Sequence, residues 1–243
     1  MSSAPYDLWY WPSIQGRGEF VRLFMAPAGI DYRDRARDLD AQALVEDMEE
    51  REERGGFAPY APPYLVERDS GFTIAQAAHI LTWLTDRHDL GTGEMETDLH
   101  LIQLQLTITD IVAEVHGTHH PMASSLYYDD QKEAAAQAAK AFREERIPKY
   151  FSYFERAYGV HPGPFAAGGK WSHVDTSIFQ LVEGLRYAFP QRMAAIEGDY
   201  LALMDARDAV ANLGGVASYL DSERRIPFNE DGIFRHYEEL DGQ

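Results

Sequence analysis

The sequence predicts a mixed α/β region followed by an all-helical region, and three observations carry that division. The first third alternates short aromatic or β-branched runs with helical apolar spacing. Prolines at 59, 62 and 63 interrupt it just before a short apolar run, Tyr64 to Val66. From residue 95 onward the long apolar patterns have helical spacing. In order, Tyr6 to Trp11 reads as an aromatic strand that Pro12 to Gly16 breaks. Phe20, Leu23 and Phe24 mark a helix that Gly29 stops. Ile30 to Arg35 is the second strand, and residues 41–54 form an acidic helix ending at Gly55-Gly56. Tyr64 to Val66 and Gly71 to Ile74 pair across a turn, and Ile80, Leu81 and Leu84 mark the helix that follows. Helices are expected over 95–120, 129–158, 172–189 and 200–220, with Ser172 and Asp175 forming a capping box. The run His88 to Gly93 is the natural linker, so the domains are expected at 1–87 and 94–243. Phe228, Ile233, Phe234 and Tyr237 imply that the irregular tail packs back onto the body.

Composition narrows the function. A hydrophobic share of 45% is enough for a buried core, so the chain is expected to be globular. The net charge of −18 argues against broad nucleic-acid binding and against docking on anionic lipid, both of which need a basic footprint. No apolar run approaches the length of a membrane span. Met1 to Asp7 carries neither the basic nor the apolar region of a secretory signal, and a cytoplasmic location is expected. There is no cysteine, which excludes disulfides, thiolate metal sites and a cysteine nucleophile. His116, His119 and His120 cluster in sequence, but the spacing does not present a clean i, i+4 pair with a third ligand, so no metal is expected.

Four segments in this order resemble the glutathione transferase family, and they span nearly the whole chain. Tyr6 to Arg22 resembles the opening strand, loop and first helix of its tyrosine-type classes, with a mu/pi/sigma-like cytosolic fold. Pro63-Tyr64-Leu65 resembles the family's cis-proline segment, and Phe72 to Leu81 the segment gripping the glutamyl end of glutathione. Gly169 to Asp175 resembles the capped core helix of the second domain. The resemblance implies a thioredoxin-like N-terminal domain that holds glutathione and an all-α C-terminal domain that shapes an acceptor pocket.

The same resemblance assigns roles. Tyr10 would donate to the glutathione sulfur and stabilise its thiolate; Ser13, early in a loop one residue longer than usual, is the rival donor. Arg17 would offer guanidinium donors to the carboxylates of glutathione. Pro62, Pro63 and Tyr64 would hold the cysteinyl part, although Pro62 has no N–H to give; a register with Pro62 as the cis residue would restore a donor at Ala61. Gln76 and Ala77, at a helix start, would receive the glutamyl carboxylate, without the hydroxyl usual at the second position. Trp11, His116, His120 and Tyr127 would line the acceptor pocket, with Met122 and Tyr128 nearby, and Asp110 or Glu114 would reach glutathione across a dimer interface. The expected activity is conjugation of the glutathione thiolate to small hydrophobic electrophiles, a detoxification chemistry. Glutathione serves as co-substrate, no cofactor is needed, and the chain works as a homodimer. The alternatives are a ligand-binding or structural protein that keeps the fold without turnover, and a partner-binding module.

Overall fold

A computed structural model describes residues 4–242; the reading of the opening segment therefore lies partly outside the described residues, at 1–3. Contacts divide the chain into two compact units. One runs through Leu90 and includes Gly214–Pro227; the other comprises Gly91–Leu213 and the chain from Phe228.

The first unit is a four-stranded sheet with helices, a thioredoxin-like arrangement. Strand β1 (Tyr6–Trp9) stops short of the expected Trp11, because Pro12 and Ser13 form a turn just beyond it. Helix α1 (Gly18–Ala28) follows and ends at Gly29, whose φ of 65° is the left-handed conformation that glycine accepts without a Cβ penalty. Then come β2 (Tyr32–Asp34), a single turn α2 (Arg35–Asp38), and α3 (Ala41–Arg54). The Asp40 carboxylate caps α3 by accepting the Ala43 N–H at 2.8 Å. Strands β3 (Tyr64–Glu67) and β4 (Thr73–Ala75) lead into α4 (Ala77–Arg87).

The strand order is β2-β1-β3-β4. β1 and β2 are parallel, while β3 runs antiparallel to both β1 and β4. In this register Trp9 faces Tyr64 and Tyr64 faces Ala75, so the sheet brings the end of β1 beside the start of β3. Leu8 and Leu65, cross-strand partners, are both fully buried in the centre.

In the second unit the 95–120 pattern becomes α5 (Met95–Gly117). The 129–158 pattern is interrupted. Helix α6 (Lys132–Ala141) passes through a π-helical stretch at Phe142–Arg146 into α7 (Ile147–Tyr158). Helix α8 (His173–Ala188) packs against α5 and against α10 (Leu201–Ala211), with a short α9 (Pro190–Ile196) between α8 and α10 that the spacing does not reveal. Helix α8 is buried on nearly every side.

The 200–220 pattern is also two helices, and this corrects the expected domain division. Asn212 and Leu213 end α10, and α11 (Gly214–Leu220) packs against α1 in the first unit. Gly215 permits that approach: a Cβ there would stand 2.3 Å from the Ala26 carbonyl oxygen. The chain from Phe228, which ends in the short α12 (Glu238–Asp241), packs on the helical unit as expected of the tail. There Phe234 lies over Gly184, and the Tyr237 ring stacks on Tyr128 at 3.9 Å.

The capping box at α8 extends further than the sequence shows. Asp175, fully buried, accepts from the Ser172 N–H and hydroxyl at 2.7 Å each, from the Tyr158 hydroxyl at 2.8 Å and from the Ala166 N–H at 2.9 Å. Burial pushes its carboxyl above the usual range, and these donors pull against that shift. Replacing Asp175 with alanine would leave two buried backbone N–H groups without an acceptor. The expected loss of stability is about 3 kcal/mol, read from urea unfolding; a loss no larger than that of an exposed surface substitution would mean that Asp175 does not organise this corner.

Candidate active site

In the first unit, the expected ligand contacts gather where β1, β3 and the N-termini of α1 and α4 meet the intervening loops. Tyr10 follows β1 and is 5% exposed. Its ring packs against two glycines. A Cβ on Gly16 would lie 2.0 Å from the phenol oxygen, and one on Gly18 would lie 2.6 Å from the ring. Gly16 also has φ of 45°, a second reason for glycine there. The Arg17 backbone N–H donates to the Tyr10 oxygen at 2.8 Å. The phenol's own proton has no acceptor among the described residues.

The electrostatics keep that proton on the oxygen. Burial raises the Tyr10 phenol above its usual value, while the Arg17 N–H and the charges of Arg17 and Arg22 work in the other direction. The Arg22 guanidinium lies 5.9 Å from the ring centroid. At neutral pH the site therefore holds a neutral phenol, a donor already accepting one hydrogen bond. Ser13 is exposed on the same loop. Arg17 is half-buried, and its guanidinium forms no hydrogen bond or ion pair among the described residues.

The Pro62–Pro63 peptide is cis, which fixes the register: Pro63 is the cis residue and Pro62 precedes it. Pro62 also lines a cleft of about 600 Å³ with Trp11 and Tyr60, faced by Val45, Met48, Glu49 and Glu52 of α3. Tyr64 is anchored within the sheet. Its side chain is fully buried, its hydroxyl donates to Asp47 at 2.6 Å, and the Arg51 guanidinium lies 5.4 Å from the ring centroid. Only its backbone remains to face a ligand, and that backbone pairs with Trp9 and Ala75. Gln76 precedes α4 with φ of 72°, is exposed, and does not cap the helix with its side chain. Helical bonding begins with the Ile80 N–H to the Gln76 carbonyl. The first amides of α4, from Ala77 on, thus stand without a side-chain cap.

The residues expected to line an acceptor pocket fall in different units: Trp11 in the first, His116, His120 and Tyr127 in the second. Within the second, His116 and His120 stack at 5.1 Å, and both meet His119 edge-on. Tyr127 is 81% exposed. His119, which the sequence reading gave no role, is the buried member of the cluster. Its Nε2–H donates to the Ile233 carbonyl at 2.9 Å and ties down the tail. No group of His, Asp or Glu residues among the described ones has an arrangement that could hold a metal ion. Glu114 is occupied: Arg146 grips it at 2.7 and 2.8 Å, and the Tyr150 hydroxyl adds a third bond. Asp110 is exposed.

Sequence reasoning also missed a buried polar network beside the site. Glu19 and Arg22, both fully buried on α1, pair at 3.3 Å, and Arg22 pairs with Asp34 at 2.7 Å. The signal was present as two opposite charges three residues apart in an otherwise apolar helix.

The buried histidines set an acid limit on stability. Burial lowers His119 to about 3 and His173 to about 4, against the ordinary 6.5. Both stay neutral in the fold and take up protons in the unfolded chain, so stability falls as pH drops below about 6.5, by up to ~1.4 kcal/mol per pH unit for each. His119→Gln keeps an N–H for the Ile233 carbonyl and cannot titrate. Its stability, followed by urea unfolding from pH 7 to 4, is expected to fall less steeply than that of the wild type; parallel slopes would contradict a neutral His119.

Comparison with known proteins agrees with this architecture. Residues 116–223 match the family model for the glutathione S-transferase C-terminal domain. Human glutathione S-transferase A4 is 26% identical over 223 residues, covering 91% of each chain. The bovine A4 protein is 24% identical over 220 residues, covering 90% of each. Among solved structures, the pi-class glutathione S-transferase of Onchocerca volvulus superimposes with a TM-score of 0.71 at 19% identity, over 94% of this chain and 99% of that one. These names span more than one class and do not single one out. The chain is thus similar to glutathione transferases over about nine-tenths of its length, with residues 116–223 matching the family model.

Proposed function

We propose that the protein conjugates glutathione to small hydrophobic electrophiles, with the Tyr10 phenol stabilising the thiolate. The observation that carries this reading is the Tyr10 hydroxyl: its oxygen accepts the Arg17 N–H, and its proton is left to a ligand. The thiolate is the reactive form of a thiol. A phenol proton aimed at the sulfur lowers the thiol pKa by hydrogen-bonding the charged form. With no cysteine in the chain, the thiol must come with the substrate. The Arg17 guanidinium and the uncapped start of α4 at Gln76 and Ala77 suit its carboxylates, and the Pro62 carbonyl suits its backbone. Glutathione acts as a co-substrate, without a separate cofactor, and the chain works as a homodimer in the cytoplasm.

Pro62 favours one second reading, a protein that keeps the fold and binds ligands without turnover. It has no N–H, and one missing backbone hydrogen bond weakens glutathione binding by about 0.5–1.5 kcal/mol. Calorimetry with glutathione separates the two: no heat at millimolar concentration favours that reading over the transferase.

Tyr10→Phe is expected to bind glutathione but lose about 10²-fold in kcat/KM near pH 7, the scale of one lost donor to a developing anion. The loss shrinks as pH rises past the free thiol's pKa of about 8.5, where the thiolate forms unaided. A rate equal to wild type at pH 6.5 would remove Tyr10 from the chemistry and leave Ser13→Ala as the next variant to assay. Arg17→Ala is expected to raise KM for glutathione about tenfold while kcat changes less, as for the loss of uniform binding; an unchanged KM would assign Arg17 no part in binding.

A further inference from the structure

The loop that encloses Tyr10 is held from outside by a distant part of the same unit. Gln15 and Glu19 bracket Gly16-Arg17-Gly18, and both side chains are buried, at 5% and 0% exposure. The Gln15 side-chain amide donates to the Ile226 carbonyl at 2.5 Å. The Glu19 carboxylate accepts from the Tyr219 hydroxyl and from Arg225, each at 2.6 Å, as well as from Arg22 on its own helix. Between these two anchors the Glu19 N–H closes onto the Gln15 carbonyl at 3.0 Å. The anchored turn is the one whose Arg17 N–H reaches the Tyr10 oxygen.

We propose that Gln15 and Glu19 are positioning residues for the Tyr10 phenol, held in place by the segment from Tyr219 to Ile226. This rests on the reading of Tyr10 as the sulfur donor. The physical case begins with the two glycines. They are needed for the ring to fit, and they leave the turn little conformational preference of its own. The two anchors supply what the glycines lack. With them in place, the Arg17 N–H points at the phenol oxygen and polarises the O–H toward the ligand. Without the Gln15 anchor the turn relaxes, the Arg17 donation weakens, and the phenol becomes a poorer donor. The sulfur then titrates at higher pH, although neither Gln15 nor Glu19 touches it.

The test uses Gln15→Met, which keeps the length of the side chain and removes its donor, with Tyr219→Phe as a second variant that removes one bond to Glu19. In either variant the midpoint of the pH profile of kcat/KM is expected to move up by about half a unit or more, with KM for glutathione within about twofold of wild type. The Arg17 amide should exchange about tenfold faster in deuterium, while the midpoint of global urea unfolding changes little. Added to Tyr10→Phe, Gln15→Met should produce no further shift in the profile, because the phenol through which it acts is gone. An unchanged profile and unchanged Arg17 exchange in both variants would overturn the proposal. So would an equal shift in the Tyr10→Phe background, which would mark a general structural effect. If Tyr10→Phe itself matches wild type, the sulfur-donor reading falls, and the proposed role of both anchors falls with it; faster Arg17 exchange would then mark a purely structural clasp.

Discussion

The candidate site depends on the fit of one phenol between two glycines. A buried aromatic hydroxyl needs a partner, and the partner here is a backbone N–H in the turn that the glycines allow to come close. This contact brings the end of β1, the loop and the start of α1 together around one oxygen. Burial and hydrogen bonding then act on the phenol in opposite senses. The outcome is a neutral group that accepts from the protein and retains a proton to give. Such a donor does not have to turn away from another partner before meeting an anion, and so pays little reorganisation.

The helical unit rests on a different constraint. Helix α8 is buried nearly all round, so its polar groups must be satisfied within the protein. Asp175 answers for its N-terminus by collecting donors from Ser172, Tyr158 and Ala166, the last two outside the helix. His119 performs a similar task for the tail at Ile233. Titratable groups are being used here as fixed hydrogen-bonding parts, and of the two it is the neutral His119 that makes the unit sensitive to acid.

The legible parts of the fold were local. The alternation of strand and helix, the stop at Gly29, the capping box at Ser172 and the linker before Gly91 follow from neighbouring residues and their periodicity. The illegible parts were long-range. A continuous helical pattern over 200–220 does not say that Gly215 brings the second piece against α1, because close approach is a property of the partner as much as of the glycine. Nor does the pattern of α1 say that Glu19 and Arg22 are buried together with Tyr219 and Arg225. At the site, motif positions singled out Tyr10, Pro63 and Gln76, which follow or precede strand ends that the register sets side by side. They do not reveal that the Tyr64 hydroxyl is committed to Asp47 on α3, a contact that no spacing encodes.

The segment from Gly214 to Pro227 has a consequence for biosynthesis. The sheet-containing unit is discontinuous: bonds such as Gln15 to Ile226 join residues 211 positions apart, with Gly91–Leu213 of the helical unit between them. During synthesis the first ninety residues can collapse around their sheet, but the clasp on Glu19 has to wait until Arg225 leaves the ribosome. Until then a buried carboxylate lacks two of its donors, and the face of α1 that receives Gly215 lies uncovered. Domains otherwise tend to fold in order as they emerge. Here the unit that begins first waits for Gly214–Pro227, made after Gly91–Leu213 of the helical unit, and the helical unit is closed in turn by the chain from Phe228.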